Sequence, residues 1–138
     1  MTVNREDPFA GAWKLNPQRS HFDPSHCASR GTMYWEPTSE GYRMRAEGTK
    51  SDGQVVEEKP QAFILDGKDH PLADMAGVTA IASRTSPNNI HVQAQKAGRV
   101  VGKASYVVSE DGTTLTANVS GLDAQQRPFQ TALVWDHQ

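Results

Sequence analysis

A chain of 138 residues is long enough for one domain and can bury a core without help from disulfides or metals. Its 36% hydrophobic and 22% charged residues exclude a disordered chain, and its single cysteine, Cys27, excludes an internal disulfide and a cysteine-based zinc site. The formal charge is −2, with nine basic and eleven acidic residues in 1–69 and five of each in 70–138, so neither half is a basic surface and no nucleic-acid partner is expected.

Residues 1–8 carry no apolar h-region and are read as a loose N-terminal arm, not a signal peptide. The chain is expected to be soluble, and cytoplasmic, or periplasmic if a leader has been removed. A first strand is predicted at Ala10–Leu15 and a short turn at Pro17–Ser20. Beyond them, apolar and polar residues alternate with the period of half-buried strands. Met33 and Trp35 share one face. Tyr42, Met44 and Ala46 share another, opposite Arg43, Arg45 and Glu47. Pro60 is expected to place a bulge or an edge between Gln54 and Leu65. A second short turn is predicted at Leu72–Ala76. Ile90, Val92 and Ala94 alternate with His91, Gln93 and Gln95. In the strand near Arg99–Ser109, Val100, Gly102, Ala104, Tyr106 and Val108 are assigned to one side. Leu115, Ala117 and Val119 alternate with Thr114, Thr116 and Asn118, and the last strand sets Phe129, Thr131, Leu133 and Trp135 on one face.

Turn signals punctuate these runs at Ser39-Glu40-Gly41, Asp52-Gly53, Asp66-Gly67, Pro87-Asn88-Asn89, Ala97-Gly98, Asp111-Gly112 and Gly121 to Gln126. Asp-Gly suits tight hairpins because both positions tolerate positive φ. No segment has helical periodicity, and the longest aliphatic or aromatic run, Ala62 to Leu65, is far too short to span a membrane. The pattern predicts an all-β fold over 1–138: a single antiparallel up-and-down barrel of about eight to ten strands, closed to remove its edges.

The opening Phe9-Ala10-Gly11-Ala12-Trp13-Lys14-Leu15, with Phe22-Asp23 soon after, resembles the first strand of the calycins, the lipocalins and fatty-acid-binding proteins. Gly11 and Trp13 match their Gly-x-Trp. The resemblance implies that Trp13 packs across the closed base of the barrel and that Gly11 lets the chain bend there. The longer stretch from Gly11 to Phe22, together with Asp66 to Pro71 and Ser109 to Thr116, is similar to a group of small bacterial lipocalin-like proteins, which brings a fold and no established activity. Two departures matter. The helical pair of the fatty-acid-binding proteins has no counterpart after the first strand, and Trp135-Asp136-His137 stands where their Arg-x-Tyr carboxylate clamp would be, so that clamp does not carry over.

In a closed barrel, Met33, Trp35, Tyr42, Met44, Ala104, Tyr106, Leu133 and Trp135 face inward and are the candidate ligand-binding residues. Small inward residues (Ala46, Ala94, Gly102, Ala104, Ala117) beside large rings leave room for a ligand, although a filled core fits the same pattern. The strand interiors are read as almost uncharged. Catalysis, if present, would fall to groups at the barrel mouth: His70, flanked by Asp69 and Asp74, or His26, Tyr42 and Asp74. His21, Asp23, His26 and Cys27 gather metal-capable atoms in one loop, but no further ligand has zinc-site spacing, so no metal and no cofactor are expected. His91 is expected to be exposed and His137 uninformative. The first reading is a barrel that binds a small apolar or aromatic molecule. The alternatives are a cofactor-free lyase, isomerase or hydrolase that uses the same cavity, and a structural protein with a filled core. A homodimer is left open.

Overall fold

The computed structural model describes residues 7–21, 28–50, 53–57, 61–71, 77–122 and 127–138. It contains strands and turns with no helix among these residues. In chain order the strands are β1 (Gly11–Leu15), β2 (Ala28–Pro37), β3 (Gly41–Lys50), β4 (Val55–Glu57), β5 (Gln61–Ile64), β6 (Asp69–Pro71), β7 (Val78–Ser86), β8 (Asn89–Lys96), β9 (Arg99–Val108), β10 (Thr114–Leu122) and β11 (Pro128–His137).

Every pairing is antiparallel, in the order β4-β3-β2-β1-β11-β10-β9-β8-β7-β6. The β1–β11 ladder wraps the sheet round, with Leu15 opposite Trp135 and Trp13 opposite His137. Strands β4 and β5 both pair with β3, at Glu47–Thr49 and Gly41–Met44 respectively, so eleven strands fill ten positions. The result is a nearly closed up-and-down barrel. Its seam lies between this broken strand and β6–β7, where the Gly67 N–H donates to the Ala82 carbonyl at 3.1 Å. The expected interruption falls on this edge, as β4 ends at Glu57 and β5 begins at Gln61; Pro60 itself and the predicted turn at Leu72–Ala76 lie outside the described residues. The turn after β1 is present, closed by the Arg19 N–H on the Asn16 carbonyl at 3.3 Å.

Residues opposite each other in a ladder share a face, so the register fixes what points inward. One inward row runs through Ile90, Tyr106, Ala117 and Leu133, and the next through Ala82, Val92, Ala104, Val119 and Thr131. The register corrects the sequence reading of β9. It shifts between Ala94 and Gln95: Ala94 pairs with Gly102, while Gln95 pairs with Val100. Val101 is the extra residue of a bulge. Val100 therefore joins Gln95 on the outer face, 44% exposed, instead of lying inward with Gly102.

The core is concentrated toward one end. Phe9, Trp13, Leu15, Met33, Trp35, Tyr42, Met44, Phe63, Ile90, Val108, Leu115 and Trp135 form one buried cluster. Gly11 adopts φ +121°, and a Cβ there would lie 2.9 Å from His137 Nε2. The glycine of the first strand thus makes room for an imidazole as well as bending the chain.

Candidate functional site

The sealed end is built from rings contributed by separate strands. Trp35 lies at the centre, with ring centroids 5.2 Å from Phe9, 5.3 Å from Tyr42, 5.6 Å from Phe63 and 5.2 Å from Tyr106. Tyr106 reaches from β9 to Trp35 on β2, so the rings bridge the interior. Their tilted and edge-on packing is the favoured geometry for aromatic pairs. Trp13 is fully buried beneath them; its Nε1–H donates to the Phe9 carbonyl at 3.0 Å, and His137 packs edge-on against it at 4.7 Å.

A polar latch closes this end. The Tyr42 hydroxyl donates to Asp7 Oδ1 at 2.5 Å and accepts a hydrogen bond from the Arg84 guanidinium. Arg84 also lies over the Phe9 and Tyr42 rings, 5.8 Å and 5.5 Å from their centroids. Burial, followed by the Asp7 carboxylate, pushes the Tyr42 phenol well above its ordinary range. The phenol is therefore held neutral between a cation and an anion. Arg84 pairs with Ile90 on the inward face of the register, but it is exposed toward the end of β7. The chain's own Asp7, from the segment expected to be a loose arm, occupies this Arg–Tyr pair.

The eight interior candidates divide in two. Met33, Trp35, Tyr42, Met44 and Trp135 are buried within the sealed cluster. Ala104, Tyr106 and Leu133 are partly exposed, as are their inward-facing neighbours Ala46, Val92, Ala94, Gly102 and Val119. Toward the end where β9 begins, the interior is thus lined by small and aliphatic groups that retain access to solvent. Among the described residues, the indole Nε1 atoms of Trp35 and Trp135 are buried without a hydrogen-bond partner. Unpaired buried donors are costly.

A separate open depression of about 720 Å³ spans the ends of β9, β10 and β11, lined among others by Val100, Val101, Lys103, Leu122 and Phe129. It includes none of the eight candidates, and most of its lining belongs to the outward register.

Of the catalytic candidates, Tyr42 and His70 are described, and each is engaged by its own partners. Tyr42 is engaged by Asp7 and Arg84. His70 pairs with Ala80 at the seam, and its Nε2 lies 3.0 Å from both carboxylate oxygens of Asp66. The Lys68 backbone N–H, and then His70, hold the Asp66 carboxyl below its usual range. His26, Asp74, Asp23 and Cys27 lie outside the described residues. His21 is exposed and bridged by its backbone to Ala132, and His91 is exposed on the outer face of β8.

Sequence reasoning missed Asp7, Phe9, Phe63, Arg84 and His137. Phe63 sits in an unbroken apolar run and Arg84 on a strand whose Ala80, Ile81 and Ala82 are apolar on both faces, so neither had a legible parity. His137 was legible only through the register that sets it opposite Trp13.

No protein-family model and no curated protein sequence matches the chain. Solved structures do match, among them a bile acid-binding protein and a fatty acid binding protein. One is zebrafish ileal bile acid-binding protein complexed with cholic acid, with a TM-score of 0.57 and 11% identity over 96% of this chain and 100% of that one. Another is As-p18, an extracellular fatty acid binding protein, with a TM-score of 0.55 and 17% identity over 96% and 97%. At these identities the likeness is one of fold.

Proposed function

We infer that the chain is a binding barrel holding a small apolar or aromatic molecule in its interior, above the ring cluster centred on Trp35. The carrying observation is the change in burial along the barrel. Rings seal one end, whereas inward Ala46, Val92, Ala94, Ala104 and Leu133 remain partly accessible. Such a lining gives broad apolar contact, and an unpaired indole N–H is a ready donor for an acceptor atom on the ligand. Proteins of this fold include binders of bile acids and fatty acids, which supports a small-molecule ligand for this chain.

Titration with an environment-sensitive aromatic probe tests this reading. The probe is expected to quench tryptophan fluorescence saturably. Ala104→Phe, which fills the proposed space from β9, is expected to abolish binding while leaving the denaturation midpoint close to the parent's. If the interior is already filled, the parent shows no binding and the same substitution costs about 1–3 kcal/mol through overpacking.

A further inference from the structure

Trp135 reaches across β1. It projects inward from β11 opposite Leu15, and the far edge of its ring meets β2, where a Cβ on Gly31 would lie 3.3 Å from Cη2. Gly31 pairs with Gly48, and a Cβ on Gly48 would lie 2.7 Å from the Arg30 carbonyl oxygen. Two facing glycines thus form the bed on which the indole rests. The residue is 7% exposed, while Gly31, Ala46, Gly48 and Leu133 on the same inward face are partly exposed. Trp135 is therefore a ring of the sealed cluster that borders the accessible half.

Its Nε1–H is buried and, among the described residues, has no hydrogen-bond partner. Trp35 carries the other such donor, but it is enclosed by the rings of Phe9, Tyr42, Phe63 and Tyr106, deeper in the seal. An unpaired donor inside a protein is costly until an acceptor meets it. A carbonyl oxygen suits it, as an acceptor without charge on an otherwise apolar body. A carboxylate at the same depth would shed its hydration against a neutral donor, and the arginine at this end, Arg84, is bound to Tyr42.

We propose that Trp135 is a specificity-determining residue of the barrel: its indole N–H takes the carbonyl oxygen of an uncharged, ring-bearing ligand, such as an aryl ketone, whose apolar body fills the accessible half. The assignment rests on the binding-barrel reading and adds to it the ligand's polar group and that group's partner.

Methyl naphthyl ketone and isopropenylnaphthalene share one shape and differ in a carbonyl oxygen against a methylene group. Each is titrated into the full chain with tryptophan quenching as readout. Trp135→Phe keeps a ring over the glycine bed and removes the donor. It is expected to weaken the ketone roughly tenfold, the order lost with one buried hydrogen bond, and the hydrocarbon by less than about twofold. In the parent, the Trp135 indole N–H proton, assigned through the ring's contact with Gly31, is expected to lie further downfield in the ketone complex than in the hydrocarbon complex. That reading needs no variant and decides the matter if Trp135→Phe does not fold. Equal weakening of both probes would overturn the assignment, as would equal positions of the indole proton in the two complexes. Naphthoate, similar in shape and charged, is expected to bind more weakly than the ketone; tighter binding would overturn the uncharged class. If neither neutral probe binds the parent, the binding-barrel reading fails first and the assignment fails with it.

Discussion

Tyr42 is 1% exposed, yet its hydroxyl joins an exposed arginine to an aspartate 35 residues away in the chain. Burial and the Asp7 carboxylate both oppose phenolate formation, so the folded state retains a proton that the unfolded chain releases near pH 10. With the folded value raised, the stabilisation is present below about pH 10 and is lost as pH rises further. A spectrophotometric titration of the parent minus Tyr42→Phe is expected to show no phenolate from Tyr42 until the protein unfolds in alkali; ionisation near pH 10 in the folded state would mean that the latch is open. Asp111 behaves with the opposite sign. Hydrogen bonds from the Ser109 hydroxyl, then the Thr113 hydroxyl and Thr113 N–H, hold its carboxyl at about 2, against an ordinary 3.8. Its contribution is therefore full above about pH 4 and fades as pH falls toward 2. Asp111→Ala should melt below the parent at neutral pH, with the difference shrinking through that window. A difference independent of pH would assign the effect to turn geometry rather than charge.

Among the described residues, the β8–β9 hairpin carries the one non-glycine residue at positive φ. Ala97 has φ 53° and Gly98 φ 77°, the pair of positive angles that tight hairpins require. A Cβ in this region is strained, and asparagine tolerates it better. Ala97→Asn is expected to stabilise the fold by about 1 kcal/mol, read as a raised denaturation midpoint; an unchanged or lowered midpoint would contradict the turn assignment. The same hairpin shows where sequence reading stops. Strands β10 and β11 pair without a break from Leu115–Trp135 to Gly121–Phe129, so simple alternation located their faces. In β9 one extra residue, Val101, reversed the parity of all that precedes it, and nothing in Arg99-Val100-Val101-Gly102 signals the slip. Strand β7 had no usable alternation because its apolar residues fall on both faces. The interior rings Trp35, Tyr42 and Tyr106 were found by parity, but the latch was not. Asp7 lies outside any periodic run, and its choice of Tyr42 depends on how the barrel closes.

For the whole molecule the central feature is axial asymmetry. Rings and a polar latch seal one end, and the other is lined by small and aliphatic groups with Phe129 opposite Gly121 on the same face. The calycin-like Gly11-x-Trp13 strand foretold the sealed base, while the accessibility above it required the packed structure. Alanine methyl groups sample both environments. Ala46, Ala94 and Ala104 face inward in the accessible half, Ala117 is buried beside Tyr106 and Leu133, and Ala62 is exposed on the outer face of β5. The most direct measurement is a titration of protein labelled at its alanine methyls with an apolar aromatic probe, followed by NMR. An interior site predicts saturable shifts at Ala46, Ala94 and Ala104 with one common dissociation constant and no shift at Ala62. Absence of shifts at the inward methyls would contradict it, as would, in a sample labelled also at its valine and leucine methyls, shifts confined to Val101 and Leu122 at the outer depression.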